Sequence, residues 1–252
     1  MGTALITGAS VGLGEEFAWQ LATVRHNLVL VARDQARLDD LAAKIRSAAG
    51  VRVEVIQADL TKERDLNRVA QRLKSETRPV GLLVNNAGFG VRQPFIRTSL
   101  KDSAAMEKLM IHAVMVLSHA AAVAMVGRGR GAILNVSSVA AHLASGLYAA
   151  DKAWVKTFTE GLAVELKGTG VTATALLPGL TRTEFHARAG LDYLSYPSVA
   201  WLSAADVVSR ALADVRRGVV LSTPSLRYGL LGQVVRLLPR WLVRAVSQIE
   251  DR

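Results

Sequence analysis

The chain has no cysteine among its 252 residues, which excludes disulfides, thiolate metal sites and a cysteine nucleophile. Histidine is almost as scarce: the five, at positions 26, 112, 119, 142 and 186, show no ligand spacing, and no metal site is expected. Aromatic residues make up only 5% of the chain, and no low-complexity or Pro/Ser-rich linker divides it, so residues 1–252 read as a single domain. Long apolar runs are also missing. The longest uncharged one, Ala113 to Val126, falls short of the ~20 residues needed to cross a bilayer and contains Ser118 and His119, so it reads as a buried helix. The first strand-like run starts at residue 3 and leaves no room for a cleavable signal peptide, which predicts a cytoplasmic protein.

Positive charge is in surplus: 31 basic against 21 acidic residues, a net +10 and a pI near 10.4. The basic residues are dispersed without an aromatic-interleaved patch, so no nucleic-acid partner is expected. An anionic cofactor, an acidic acyl carrier or an anionic membrane surface accounts for the surplus at least as well.

Apolar, β-rich runs at 3–7, 28–32, 53–57, 81–85, 132–137, 172–177 and 219–222 alternate with amphipathic stretches at about 13–24, 35–48, 62–75, 104–125, 148–167 and 204–215. Strand and helix alternating in this way predict an α/β doubly wound parallel sheet of about seven strands with helices on both faces. Leu28-Val29-Leu30-Val31-Ala32 is apolar throughout, as a strand buried on both faces must be. In this architecture ligands sit beyond the carboxyl ends of the strands, and the motifs lie there.

The first strand empties into Gly8-Ala9-Ser10-Val11-Gly12-Leu13-Gly14 and a helix. Glycines remove the Cβ atoms that would block a sharp turn and a close pyrophosphate, and the helix start offers unpaired N–H groups. Arg33 follows the second strand, where a dinucleotide's adenosine ribose would lie; a guanidinium there pairs with a 2′-phosphate and predicts NADP, with Ser10 as a helper and Asp34 as a complication. Asp59-Leu60 and Asn85-Asn86-Ala87-Gly88 close the third and fourth strands; the latter run also suits a tight turn. Asn135-Val136-Ser137-Ser138 leaves the fifth strand, and Tyr148 and Lys152, four apart, share a helix face. A lysine ammonium about 4 Å from a tyrosine interacts by ~4 kcal/mol at an effective dielectric of 20, about three pKa units. Tyr148 could then exchange a proton with a carbonyl or alcohol oxygen steadied by Ser138.

With these motifs in this order, the chain resembles the short-chain dehydrogenase/reductase family over essentially its whole length. Thr7-Gly8, Gly12 and Gly14, the Asn85 to Gly88 run, the Ser138, Tyr148 and Lys152 set, and Pro178-Gly179 with Thr181 and Thr183 look like that family's signatures. The resemblance implies a Rossmann sandwich that binds NADP (NADPH) and transfers hydride between nicotinamide and a carbonyl or alcohol. It assigns catalysis to Ser138, Tyr148 and Lys152. It implies a cofactor site of Gly8, Ser10, Gly12, Leu13, Gly14, Arg33, Asp59, Leu60, Asn85, Ala87, Gly88, Pro178, Gly179, Thr181 and Thr183, joined by Tyr148 and Lys152. Homodimers or homotetramers through the long central helices are also implied.

Three features depart from the family pattern. Met110 stands where the family usually has Asn, Ser138 and Tyr148 are only ten residues apart, and Asp151 adds a negative charge beside Lys152. These keep open an alternative, a catalytically weak NADP-binding sensor or scaffold. Residues 181–203 read as a substrate lid; Phe185, Leu191, Tyr193, Leu194, Tyr196 and Trp201 point either to an apolar substrate or to packing of the lid itself. The 227–248 stretch reads as an amphipathic helical extension with Arg236, Arg240 and Arg244 on one stripe, interrupted or restarted at Pro239. It can lie in a membrane interface, cover a subunit seam or border the substrate mouth.

Overall fold

The structure, a computed structural model, describes residues 2–90, 94–184 and 197–250. Seven strands form one sheet: β1 (Thr3–Thr7), β2 (Asn27–Ala32), β3 (Val53–Gln57), β4 (Val80–Asn85), β5 (Gly131–Val136), β6 (Val171–Leu176) and β7 (Leu221–Ser222). All pairings are parallel, in the order β3-β2-β1-β4-β5-β6-β7. Parallel neighbours need crossovers, and helices supply them: α1 (Gly12–Thr23), α2 (Gln35–Ala49), α3 (Glu63–Lys74), α4 (Leu100–Glu107), α5 (Ala113–Gly127), α6 (Gly146–Glu165) and α7 (Ala204–Arg216). Two more, α8 (Leu226–Leu237) and α9 (Arg240–Glu250), follow the last strand.

Period-2 alternation along each strand divides the core into two layers. On β1, Ala4 and Ile6 pack with Phe17 and Leu21 of α1, Leu38 of α2 and Val207 and Val208 of α7. Leu5, between them, packs on the opposite face with Leu66, Val69 and Leu73 of α3 and Leu117 and Ala121 of α5. Both layers are built from buried apolar side chains, which explains why the strands carry so little polarity.

The expected helix at 104–125 is longer than its sequence pattern suggested. A π-helical turn, Lys108–His112, joins α4 to α5, so helical structure runs from Leu100 to Gly127. By length and composition this stretch could cross a membrane, yet half of its most apolar window is buried, with Leu117, Ala120, Ala121 and Met125 in the core layer beneath the sheet. The last strand is shorter than expected, two residues against four, and the C-terminal extension is two helices parted at Leu238 and Pro239, where the interruption was expected.

Candidate active site

Strand order reverses between β1 and β4, and at this point the carboxyl ends of the strands open into one cleft of about 850 Å³. Gly8, Ser10, Gly12 and Leu13 form one wall. Gly8 and Gly12 have φ of +65° and +59°, a region L side chains rarely enter, and a Cβ on Gly8 would lie 2.9 Å from Ala87 Cα. Val11 offers no side-chain cap to α1, so the first N–H groups of that helix are open to an anion. Gly14 does not line the cleft. A Cβ there would strike the Gly8 carbonyl oxygen and lie 2.6 Å from Asn86 Nδ2, so this glycine lets α1 pack beneath the loop.

The turn after β4 braces the glycine loop. Thr7 Oγ1 accepts from the Asn86 and Ala87 amides, both at 3.0 Å, while Asn86 Nδ2 donates to Thr7 O at 3.0 Å and Gly8 O at 3.3 Å. Asn86, Ala87 and Gly88 line the cleft, whereas Asn85 does not. As the last residue of β4, Asn85 turns its amide inward, donating to Asn135 Oδ1 at 2.9 Å and Ser118 Oγ at 3.1 Å. Asn135 in turn donates to Thr159 Oγ1 at 3.0 Å, which completes a buried polar ladder joining β4, β5, α5 and α6. Alternation along the strand explains the difference, since adjacent residues face opposite ways.

At the other end lie Arg33, Arg37, Asp59, Leu60 and Thr61. Asp34, which could have neutralised Arg33, is the N-cap of α2: its Oδ1 accepts from the Arg37 amide at 3.1 Å. Burial raises the Asp59 carboxyl, but hydrogen bonds from the Thr61 side chain and backbone, with Lys62 and Arg33 nearby, outweigh it and hold the group below its ordinary range.

Ser138, Tyr148 and Lys152 converge in the same cleft. Ser138 caps the 3₁₀ turn Val139–His142, accepting from Ala140 N at 3.1 Å, and is hydrogen-bonded to Tyr148. The short Ser138-to-Tyr148 connection is thus long enough, because the turn folds directly against the start of α6. Lys152 is buried; its Nζ donates to Val136 O at 2.8 Å and sits 5.7 Å from the centre of the Tyr148 ring. Ser137 Oγ anchors the helix by donating to Lys152 O at 2.6 Å.

The electrostatics differ from the sequence expectation. Burial pushes the Tyr148 phenol up to about 12, opposed by the Ser138 hydrogen bond. A lysine committed to Val136 and separated from the ring does not overcome that desolvation. Burial also pushes Lys152 down to about 8, with Asp151 partly restoring it. Asp151 itself is raised to about 6 by burial, against the pull of Lys152 and with the push of Glu107. It does not capture the lysine, since consecutive residues on a helix point about 100° apart. Met110 does face the site: its Sδ lies 3.5 Å from where a Cβ of Gly88 would be, and Lys152 Nζ lies 3.7 Å from the same point. His112 turns away, its Nε2 3.0 Å from Glu63 Oε1.

Pro178, Gly179, Thr181 and Thr183 form the remaining wall. Thr183 Cβ stands 3.2 Å from the Cβ position of Gly12, so this segment meets the glycine loop across the cleft. The ring of Tyr228, from α8, occupies the space a Cβ on Gly179 would take, and its hydroxyl donates to Ala200 O at 2.9 Å. Of the expected lid, Phe185, Leu191, Tyr193, Leu194 and Tyr196 lie outside the described residues, and Trp201 is buried.

Sequence reasoning missed Arg37 and Tyr228, and named Asn86 only within the Asn85 to Gly88 run, not among the cofactor-site residues. Arg37 was within reach of it, one helical turn beyond Arg33. Asn86 is inseparable from Asn85 without knowing where β4 ends. Tyr228 is brought in by a tertiary contact that no local pattern signals.

A family model described as short chain dehydrogenase matches residues 2–193. Among curated relatives, sulfoacetaldehyde reductase 2 of Chromohalobacter salexigens is 36% identical over 186 residues, 72% of this chain and 73% of that protein. The 17-beta-hydroxysteroid dehydrogenase type 3 of Danio rerio is 28% identical over 252 residues, 96% of this chain and 78% of its own. Among solved structures, a short-chain dehydrogenase from Sphingobium yanoikuyae in complex with NADPH superposes with a TM-score of 0.86 at 37% identity, covering 94% of both chains. A bulky-bulky ketone specific alcohol dehydrogenase from Comamonas testosteroni gives 0.82 at 34% identity, covering 94% of this chain and 92% of that one. The glycine-lined cleft, the Ser138–Tyr148–Lys152 cluster and these likenesses agree: the chain belongs to the short-chain dehydrogenase/reductase family of NAD(P)-dependent oxidoreductases.

Proposed function

We propose that the protein uses NADP to interconvert an apolar carbonyl compound and its alcohol, with Tyr148 as proton donor or acceptor, Ser138 as ligand of the substrate oxygen and Lys152 as the ammonium beside them. The observation that carries this reading is the hydrogen-bonded Ser138–Tyr148 pair with Lys152 in a cleft whose far end holds Arg33 and Arg37. The residues present fit a dinucleotide: Cβ-free walls at Gly8 and Gly12, an uncapped helix start, and two guanidiniums where a 2′-phosphate would lie. A bound nicotinamide supplies the hydride in one direction and accepts it in the other.

The chain's own groups handle the proton. With its phenol raised to about 12, Tyr148 is protonated at neutral pH and enters the reaction as an acid, which suits carbonyl reduction. Ser138 Oγ, pinned by the Ala140 amide, is positioned to donate to the substrate oxygen and hold it against the phenol. Lys152, protonated below about 8, stabilises the phenolate left behind. Phe89, Leu109 and Val136 add apolar surface to the cleft, and among the described lining residues Lys152 is the sole cation apart from Arg33 and Arg37. Among the described lining residues no further cation stands beside the Ser138–Tyr148 pair to anchor a small acid, and the apolar surface there supports an apolar substrate. The names of the relatives, all reductases or dehydrogenases, do not favour the sensor reading. A cytoplasmic homodimer or homotetramer, touching a membrane through its C-terminal helices, completes the proposal.

The test is NADPH oxidation with a panel of bulky ketones. Tyr148→Phe should lower turnover by about 10²–10⁴-fold while leaving NADPH affinity nearly unchanged. Undiminished turnover would remove Tyr148 from the mechanism, and NADPH binding without turnover of any ketone or alcohol by the wild type would revive the sensor.

A further inference from the structure

The helix α8 carries an apolar stripe on its exposed side. Leu226, Leu230, Val234 and Leu237 recur at helical spacing along one stripe, and they are 90, 69, 46 and 84% exposed. Leu231 lies beside the stripe and Trp241, at the start of α9, is also exposed. None of the twelve residues of α8 is fully buried. Most helices of a globular protein turn such a stripe inward, so a run of outward-facing leucines marks a surface that meets something apolar.

Charge identifies what that is. Across α8 and α9, from Leu226 to Glu250, the chain carries Arg227, Arg236, Arg240 and Arg244 against a single acidic residue, Glu250, at the far end. All four arginines are exposed. A second copy meeting this face would set arginines against arginines, which disfavours a subunit seam. An anionic lipid surface satisfies both features: leucines and tryptophan enter the acyl boundary and the guanidiniums pair with headgroup phosphates.

The position of α8 ties this surface to the catalytic cleft. Tyr228 packs on Gly179, and its hydroxyl accepts from Leu180 N at 3.4 Å. A Cβ on Gly232 would lie 3.3 Å from the His142 ring, in the turn that follows Ser138. Arg227 Nη1 donates to Val199 O at 2.9 Å, and Val199 is itself exposed. The helix therefore rests on two segments that lead directly from the cleft walls.

We infer that α8 and α9 seat the protein on an anionic membrane with the cleft beside the lipid, so that an apolar substrate enters from the bilayer rather than from water. The lipid contact stands by itself; entry of substrate from it rests on the oxidoreductase reading. The decisive experiment is co-sedimentation of the full chain with vesicles of phosphatidylcholine alone and of phosphatidylcholine with about one-third phosphatidylserine. Binding to the anionic vesicles only, weakened by salt, is expected. Arg236→Gln/Arg240→Gln/Arg244→Gln should weaken it about fivefold per arginine, roughly a hundredfold in all. Leu226→Ser/Leu237→Ser, at positions too exposed to unfold the protein, should weaken it at least tenfold. Equal binding to neutral vesicles, no binding to either, or unaltered binding of both variants overturns the proposal. So does a native oligomer that the leucine variant dissociates in the absence of vesicle binding.

Both variants should reduce a water-soluble ketone at the wild-type rate and lose only the advantage with a ketone dissolved in anionic vesicles. Tyr148→Phe should still sediment with vesicles while losing turnover, so failure of the catalytic reading and failure of the membrane reading leave different records.

Discussion

Replacing Asn135 by Ala tests whether the ladder beneath the cleft is a structural keystone. Asn135 is fully buried; its Oδ1 accepts from Asn85 Nδ2 at 2.9 Å and Ser118 Oγ at 3.4 Å, and its Nδ2 donates to Thr159 Oγ1 at 3.0 Å. Two of these bonds are short enough to count fully, each contributing about 1 kcal/mol net, and the third is at the limit. Some partners retain an alternative: Asn85 still reaches Ser118 at 3.1 Å, and Thr159 still donates to Val155 O at 2.7 Å. Allowing for one N–H left without a partner, about 1–3 kcal/mol, and for the small cavity, Asn135→Ala should cost about 3–5 kcal/mol. That is a large part of a typical stability of about 5–15 kcal/mol, and at roughly 2–4 °C per kcal/mol it lowers Tm by about 10 °C. Urea unfolding followed by far-UV circular dichroism should show a lower midpoint at unchanged slope. A loss below about 1 kcal/mol would refute the argument, because it would mean the amides find water or each other without Asn135.

Four further outcomes follow from the geometry. Gly14→Ala should destabilise the fold by about 1–3 kcal/mol and weaken NADPH binding, both read by thermal shift with and without cofactor, since the new methyl meets the Gly8 carbonyl and Asn86. Arg33→Asp should reverse the preference for NADP over NAD, a change of roughly tenfold to a hundredfold in relative affinity; unmoved affinities would leave Arg33 a surface residue. In pH profiles of kcat/KM, reductive turnover should fall as Lys152 loses its proton near 8, and Asp151→Asn, by removing the charge that raises Lys152, should move this limb to lower pH. The same substitution should stabilise the protein above about pH 6: the folded carboxyl is raised from 3.8 to about 6, so its favourable contribution is complete at low pH and is lost as pH rises through 6.

The fold was legible because buried parallel strands are apolar on both faces and their crossovers are not, so runs such as Leu28 to Ala32 announce themselves without tertiary information. Glycines at 8 and 12 were legible for a related reason: the demand for positive φ is local, and only glycine meets it cheaply. Where a side chain points from a strand end depends on register, so Asn85 and Asn86 could not be told apart before β4 was placed. Gly14 has the right residue type for a reason other than the one anticipated, close packing of α1 rather than room for a ligand. Tyr228 lies 49 residues beyond the glycine it covers, and nothing local marks such a contact.

The charge states at Tyr148, Asp151 and Lys152 were the least legible part, because composition reveals which groups are present but not how much water each retains. A tyrosine four residues before a lysine suggests an acidified phenol only if the ammonium is near and the phenol remains partly solvated. Burial here acts on both partners, raising Tyr148 to about 12 and lowering Lys152 to about 8, and the two shifts work against a resting phenolate. Asp151, an oddity in the sequence, then has a physical role. Its charge, expensive in its own site and raised to about 6 for that reason, is what keeps Lys152 from falling further. Between about pH 6 and 8 the carboxylate is ionised and the ammonium protonated, so the cluster holds a neutral phenol beside a compensated cation. In the proposed mechanism such a phenol would lose its proton only when a substrate oxygen is there to take it, and its working window would be set by the two groups behind the tyrosine rather than by the tyrosine itself.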